Sequence, residues 1–189
     1  MGKPAPPPTP PPEGEGSRPT SAHSPLGGLR LYGRLSGLGL AIAIAVFAID
    51  QLHKWWMLGP FDIAVRQPVT VAPFLDLVLA WNRGISYGWF AQESDVGRWA
   101  LIGLSLLVTL GLWLWLAQAR RAVAAVALGL VIGGALANTM DRVVHGAVAD
   151  FFLFHGFGFS WYVFNIADSA IVAGVILLLY ESLSEGKHG

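Results

Sequence analysis

Cysteine is absent from this chain of 189 residues, and charged residues are scarce, at 13% of the sequence. Without cysteine there can be no disulfide, thiolate nucleophile, zinc–thiolate site or iron–sulfur cluster. A soluble domain carries roughly 25% charged residues. The shortage of charge, together with 54% hydrophobic residues and a mean hydropathy of +0.55, therefore indicates a membrane protein. The formal net charge is zero, so no overall electrostatic field attracts nucleic acid, and no nucleic-acid partner is expected.

Large apolar side chains are also rare in the first 30 residues, where Pro, Gly and Ser dominate. Such a segment buries too little surface to offset the entropy lost on ordering. We predict that residues 1–30 form a disordered cytoplasmic tail and that residues 31–185 form the membrane domain. A cleaved signal peptide is not expected, because the apolar run begins only near Leu35 and no small-residue cleavage site follows it.

Four apolar runs predict four transmembrane helices, at about 35–58, 99–117, 122–142 and 161–180. The uncharged part of the first run, residues 35–49, would span only about 22 Å as a helix, short of the roughly 30 Å of hydrocarbon. This helix must therefore continue through Asp50 and Lys54, and Trp55 and Trp56 would mark the membrane interface.

Residues 58–97 are too polar and too interrupted by proline to span a membrane. They are rich in β-branched and aromatic residues, and Asn82 and Gly84 mark a turn. We predict two or three short strands that form a small extracytoplasmic sheet between helices one and two. The predicted fold class is an all-α membrane protein with four transmembrane helices and this small β-sheet.

Lysine and arginine are unevenly divided between the two sides of the predicted spans. Of the 12 such residues, seven fall on the side of the termini and the 118–121 turn, and five on the other side. Two of the five, Lys54 and Arg142, are placed for ion pairs. Because Lys and Arg are enriched in short cytoplasmic loops, we predict that both termini are cytoplasmic. The polar residues at the ends of the spans then gather at the outer membrane face.

Carboxylates are the best candidates for catalysis, since the chain has no cysteine and no recognisable Ser–His pair. When two carboxylates share a site, repulsion and partial desolvation raise one pKa, so that the pair holds one proton. One carboxylate can then take a proton from water as it attacks an amide, while the other protonates the carbonyl oxygen.

Three aspartates compete for these two roles. Asp141 adjoins Arg142, whose charge would keep a nearby carboxylate ionised in a structural pair. Asp150 has small or apolar sequence neighbours, which would let its pKa rise, and Asp168 lies early in a helix, where the macrodipole favours the ionised form. Asp150 and Asp168 therefore offer the asymmetry that acid–base catalysis needs.

Other interpretations of the polar residues stay open at this point. Asp50 and Lys54 are four residues apart on one helix face and could form a purely structural ion pair, and Asn82 could serve only in a turn. A small proton-coupled transporter also uses membrane carboxylates, but it predicts polar residues along the whole depth of the bundle. A structural membrane protein without activity would leave the aspartate pair unexplained.

Five short motifs follow one another along the chain: DQLHK at 50–54, NRGISYG at 82–88, GGALANTMDR at 133–142, VAD at 148–150 and FNIADSA at 164–170. Over about residues 35–183 the chain closely resembles the lipoprotein signal peptidase family, also called signal peptidase II. The resemblance implies a four-helix aspartic endopeptidase of the bacterial cytoplasmic (inner) membrane, with a small extracytoplasmic sheet that cradles the substrate near the periplasmic face.

The resemblance also implies roles for individual residues. The family's catalytic dyad matches Asp150 and Asp168. Its other polar site residues match Asp50, Lys54, Asn82, Asn138, Arg142 and Asn165, and we add Gly84 and Asp141 from the same motifs as supporting residues. The implied substrate is a prolipoprotein whose cysteine carries diacylglycerol, cut just before that cysteine. Globomycin is the implied inhibitor, membrane lipid is a further contact, and we expect a monomer that needs no metal or cofactor.

Overall fold

The structure is a computed structural model that describes residues 1–2, 30–84 and 95–185. The predicted tail over residues 1–30 lies almost entirely outside these ranges, as does part of the predicted outer segment, including Tyr87, Trp89 and Phe90. The elements in chain order are α1 (Ser36–Leu58), α2 (Ile63–Arg66), β1 (Val69–Ala72), β2 (Leu75–Asn82), α3 (Asp95–Leu116), α4 (Ala122–His145), β3 (Val148–Gly156), β4 (Phe159–Phe164) and α5 (Ile166–Glu185).

Four of the helices are long and apolar enough to cross a membrane: α1, α3, α4 and α5. The first span runs through Asp50 and Lys54, as the length argument requires. The third run also continues as helix through its polar end, past Arg142 to His145. The predicted fold class, a four-helix membrane protein with a small sheet, is therefore confirmed.

Helix α4 is the centre of the bundle and packs against α1, α3 and α5. Its Gly133 meets α1 so closely that an added Cβ would lie 2.5 Å from the carbonyl oxygen of Ala43. Its Gly134 meets α5 in the same way, at the carbonyl oxygen of Ala167. Small residues at these positions let helix backbones approach closely. These contacts hold α4 against α1 and α5.

The four strands form one antiparallel sheet in the order β1-β2-β3-β4. Strands β1 and β2 lie between α1 and α3, and strands β3 and β4 lie between α4 and α5, so the sheet joins both connections at one end of the bundle. We call this the sheet end. An apolar cluster of Met57, Ile63, Ala149 and Phe151 packs the sheet onto the end of α1.

The sheet is larger than the sequence predicted, and the start of the fourth span was predicted wrongly. Residues 161–164 belong to strand β4, not to a helix, and α5 begins at Ile166. The run FSWYVF is apolar enough to resemble the start of a span, but it consists of aromatic and β-branched residues that pair with β3. Hydropathy alone cannot separate a short strand from a helix start.

Candidate active site

All ten residues predicted for the site belong to one continuous network at the sheet end. Lys54 joins Asp50 and Asp141 and also donates to Asn138. From Asn138 and Asn165 the hydrogen bonds continue to Asp168 and Asp150. From Asp150 they continue through Asn82 and Gly84 to Arg142. The ten are Asp50, Lys54, Asn82, Gly84, Asn138, Asp141, Arg142, Asp150, Asn165 and Asp168.

The first part of the network is an ionic cluster of Asp50, Lys54 and Asp141, all buried. The Lys54 Nζ atom lies 2.7 Å from Asp50 Oδ2 and 2.6 Å from Asp141 Oδ2. Gln51 donates from Nε2 to Asp141 Oδ1 at 2.9 Å and to the carbonyl oxygen of Ala137 at 3.3 Å. The buried charges are thus matched by ion pairs and hydrogen bonds, as burial of charge requires.

Asp141 has a different partner from the one that its sequence neighbour suggested. Successive residues on a helix point in different directions, so Asp141 and Arg142 face different parts of the site. Asp141 contacts Lys54, whereas Arg142 donates from Nη2 to the carbonyl oxygen of Gly84 at 3.1 Å and from Nη1 to that of Asn138 at 3.3 Å. A structural pairing of Asp141 is therefore observed, but with Lys54.

The second part of the network is the carboxylate pair, Asp150 on β3 and Asp168 in the first turn of α5. Asn165 links them, because its Nδ2 donates to Asp150 Oδ1 at 2.6 Å and its backbone N–H donates to Asp168 Oδ2 at 3.2 Å. Asn138 donates to Asp168 Oδ1 at 2.8 Å, and Asn82 donates to Asp150 Oδ2 at 3.3 Å. Amide groups thus hold all four carboxylate oxygens.

Local sequence explains why Asp168 has this position. The Asp168 backbone N–H donates to Asn165 Oδ1 at 2.9 Å, reciprocating the bond from the Asn165 N–H. This is a capping box, which satisfies backbone donors at the start of a helix. The same Asn165 side chain therefore begins α5 and orients Asp150.

The turn interpretation of Asn82 also holds, since its Oδ1 accepts from the Gly84 N–H at 3.1 Å while its Nδ2 donates to Asp150.

The protonation of Asp150 follows from its surroundings. Burial raises the pKa of Asp150 to about 7, and the nearby charge of Asp168 acts in the same direction. Hydrogen bonds from Asn165 and Asn82 and the charge of Lys54 lower this pKa, but they do not cancel the effect of burial. A carboxyl group with this pKa can hold or release a proton near neutral pH, which suits general acid–base catalysis.

A cavity of about 1280 Å³ opens onto the carboxylate pair. Asn82, Asp150 and Asp168 lie in its wall. Apolar residues of α5, including Ile171, Val172 and Ile176, extend the cavity along that helix. Aromatic residues of the sheet close the other side: Phe74, Trp81, Phe154, Phe159, Trp161, Tyr162 and Phe164. No residue of the ionic cluster lines this cavity.

Two parts of the site were missed from the sequence. Gln51 was overlooked, although a polar residue directly after Asp50 in an apolar helix is a signal of buried hydrogen bonding. The aromatic cavity wall was also missed, because strands β3 and β4 were not predicted. Within residues 1–2, 30–84 and 95–185, no group of three or more His, Asp or Glu side chains is arranged to hold a metal ion.

Comparison with known proteins gives consistent results. The family model described as signal peptidase (SPase) II matches residues 42–184. The lipoprotein signal peptidase of Methylocella silvestris is 52% identical over 150 residues, covering 79% of this chain and 88% of that protein. That of Methylorubrum extorquens is 50% identical over 145 residues, covering 77% and 85%. A solved structure described as a bacterial membrane enzyme at 2.3 Å resolution is 28% identical, with a TM-score of 0.70 over 80% of this chain and 91% of that one.

Proposed function

This chain belongs to the signal peptidase II family, and from that premise we propose that it is an aspartic endopeptidase acting on diacylglyceryl-modified prolipoproteins. Family membership makes it a membrane protease with a role in removing lipoprotein signal peptides. The observation that carries the aspartic mechanism is the pairing of Asp150 with Asp168 at the wall of the cavity, through amide hydrogen bonds on every carboxylate oxygen.

In the proposed mechanism the two carboxylates hold one proton between them. The ionised member takes a proton from a water molecule as the water oxygen attacks the carbonyl carbon of the scissile amide. The protonated member gives its proton to the carbonyl oxygen, and a tetrahedral intermediate forms. As the intermediate collapses and the C–N bond breaks, the carboxyl group that took the proton from water gives it to the departing amine of the lipid-modified cysteine. The other carboxylate takes back the proton that it gave to the carbonyl oxygen. The signal peptide leaves with a new carboxyl terminus.

The shape of the cavity supports a lipid-modified substrate. Its polar end holds Asp150 and Asp168, and its wall along α5 is apolar through Ile171, Val172 and Ile176. Acyl chains of diacylglycerol would gain free energy by covering such a surface. The scissile amide would then lie at the sheet end, between the carboxylates. Globomycin would occupy the same cavity and compete with the substrate.

The proposed orientation follows from the distribution of basic residues. Both termini would be cytoplasmic, and the sheet end would lie at the periplasmic face of the inner membrane. The ten site residues form a single network at that end, which favours a peptidase over a transporter. A proton path for transport would need polar groups along the depth of the bundle. We further propose that the protein acts as a monomer.

The test is cleavage of a diacylglyceryl-modified prolipoprotein by the purified full chain, with Asp150→Asn and Asp168→Asn as the variants. Wild type should cleave this substrate and leave the unmodified prolipoprotein intact. Each variant should lose about 10²–10⁴-fold in rate, the range of a general acid or base, while its thermal unfolding shows that it is folded. A folded variant that cleaves near the wild-type rate would refute the assignment, and Asp141 would be tested next.

A further inference from the structure

Each aspartate of the carboxylate pair is preceded in sequence by a fully buried alanine, Ala149 or Ala167. The backbone N–H of Ala149 donates to Asp141 Oδ2 at 3.2 Å. The backbone N–H of Ala167 donates to Asp50 Oδ1 at 2.9 Å. The backbone N–H of the residue before Asp150 and that of the residue before Asp168 are therefore both held by carboxylates of the ionic cluster.

Lys54 connects these two attachments. Its ammonium group lies between Asp50 Oδ2 and Asp141 Oδ2, at 2.7 and 2.6 Å. A continuous path of short contacts thus runs from the backbone of β3, through Asp141, Lys54 and Asp50, to the backbone of α5. Asp50 and Lys54 lie on α1 and Asp141 lies on α4, so side chains of these two helices carry the path between β3 and α5.

We propose that Lys54 is a positioning residue that sets the separation of the two catalytic carboxylates, by tying the peptide before each of them to one shared cation. This inference rests on the proposed aspartic mechanism. Lys54 does not line the cavity, so it acts through Asp50, Asp141 and Asn138, to which it also donates at 3.3 Å, and not on the substrate. Gln51 supports the same arrangement, since it fixes the second oxygen of Asp141 and the carbonyl oxygen of Ala137.

Two simpler roles for Lys54 make different predictions. If Lys54 only stabilised the fold, a stable variant without it would keep full activity. If Lys54 acted only through its charge on the carboxylate pair, removing it would move the pH profile and leave the maximal rate unchanged. A positioning role predicts a lower maximal rate at every pH.

The test variant is the triple substitution Asp50→Asn, Lys54→Met and Asp141→Asn. Each asparagine keeps an oxygen that can accept from the Ala149 or Ala167 N–H, and the methionine fills the volume of the lysine stem. Replacing all three charged residues together leaves no buried charge without its partner, which is the main cost of removing one member alone. The variant removes the link between the two attachments, together with the hydrogen bond from Lys54 to Asn138. Thr109→Val, a buried change on α3 away from the site, is the matched control.

The measurements are kcat, KM and their pH dependence on a diacylglyceryl-modified prolipoprotein, with thermal unfolding of each variant. We expect kcat to fall about 10- to 100-fold across the pH range, since misplacement by about 1 Å can cost 10²-fold, with KM within about twofold of wild type. Unchanged kcat would overturn the proposal, and so would a shifted pH profile with the same maximal rate. Thr109→Val should match wild type.

A second variant keeps the proposal falsifiable if the triple variant does not fold. Asp141→Asn alone leaves Lys54 paired with Asp50 and keeps an acceptor for the Ala149 N–H. It weakens the contact between residue 141 and Lys54, and the two remaining buried charges, those of Asp50 and Lys54, balance. It should fold and lose kcat without a matching change in KM; full kcat would contradict positioning. If the aspartic mechanism itself were wrong, the result would be different. Wild type would not cleave the substrate, or Asp150→Asn would still cleave it.

Discussion

Two pairs of aspartates share one hydrogen-bonded network in this protein, yet their surroundings are opposite. Asp50 and Asp141 both contact Lys54 and are closed off from the cavity. Asp150 and Asp168 are held by amide groups and lie in the cavity wall. Within residues 30–84 and 95–185, the aspartates of one pair therefore contact a lysine, whereas those of the other lie in the cavity wall without an ion-pair contact.

The contrast separates stability from chemistry. A buried carboxylate in contact with a cation forms an ion pair that holds elements together. A buried carboxylate beside a second carboxylate is destabilised when both ionise, and that destabilisation keeps a proton available near neutral pH. Substitutions that leave a charge of the first pair's cluster unpaired should mainly change folding, and substitutions in the second pair should mainly change activity. Five predictions test this division and the mechanism behind it.

The largest effect on stability should come from Lys54→Met alone. This change leaves Asp50 and Asp141 buried without their cation, and breaking a buried ion pair from one side costs about 3–5 kcal/mol. We expect a strongly lowered unfolding temperature or loss of folded protein during purification. The measurement is thermal unfolding in a fixed lipid or detergent, compared with Thr109→Val. A Lys54→Met protein as stable as wild type would contradict the structural role assigned to the first pair.

The next effect should come from Asn165→Ala, which belongs to the second pair. The change removes the donor to Asp150 and the side-chain cap of α5. Loss of an N-cap costs about 1 kcal/mol, so the protein should fold with a modestly lower unfolding temperature. Cleavage should fall by one to two orders of magnitude, an estimate based on the rate lost when a catalytic group is misaligned. A large stability loss with normal kcat would reverse our assignment of Asn165.

The third prediction concerns pH. The pKa of Asp150 is raised to about 7 by burial and by Asp168. A carboxyl group with a raised pKa contributes stability below its usual pKa, and that contribution is lost as pH rises toward about 7. The unfolding temperature of Asp150→Asn should therefore equal that of wild type near pH 4 and exceed it by pH 8. A difference in unfolding temperature between Asp150→Asn and wild type that does not change with pH would contradict the raised pKa of Asp150.

Activity should follow the same titration. Wild-type cleavage should decline as pH rises above about 7, because the pair then loses the proton that the carbonyl oxygen needs. It should also decline at acid pH, when both carboxylates are protonated and neither can activate water. The measurement is kcat/KM across the pH range, and a flat profile would count against the carboxylate pair.

The smallest effect should come from a chelator. Because the proposed chemistry uses a carboxylate pair held by amides, cleavage by the purified enzyme should be unchanged after treatment with EDTA. The control is a zinc peptidase treated in the same way, which should lose activity. Loss of cleavage by this enzyme, restored by added zinc, would overturn the metal-free mechanism.

Much of the fold could be predicted because the membrane imposes simple constraints. A span must be long and apolar, and Asp50, Lys54 and Arg142 stood out because charge is expensive inside such runs. Strands β3 and β4 could not be predicted in the same way. Their residues are as apolar as a helix start. Strand β4 pairs with β3, and the pairing of β3 with β2 depends on partners about 70 residues away, as in the register of Ala80 with Asp150.

The limits at the site have a similar cause. Sequence could indicate that Asp141 is structural, but its nearest charge in sequence, Arg142, faces elsewhere, and its true partner Lys54 lies on another helix. The choice of Asp150 and Asp168 as the catalytic pair agrees with the geometry, though only the variants described above test it. The hydrogen bonds of Ala149 and Ala167 carry no sequence signal, since backbone groups are the same in every residue.

The position of Asp168 also has a consequence for biosynthesis. Chains are made from the N-terminus, and α5 follows every other element of the site, so Asp168 leaves the ribosome after Asp150 and the whole ionic cluster. The capping box that starts α5 also orients Asp150. A partly inserted chain therefore has neither half of the pair in place. On the proposed mechanism, we expect the nascent chain to be inactive until its final span has entered the bilayer.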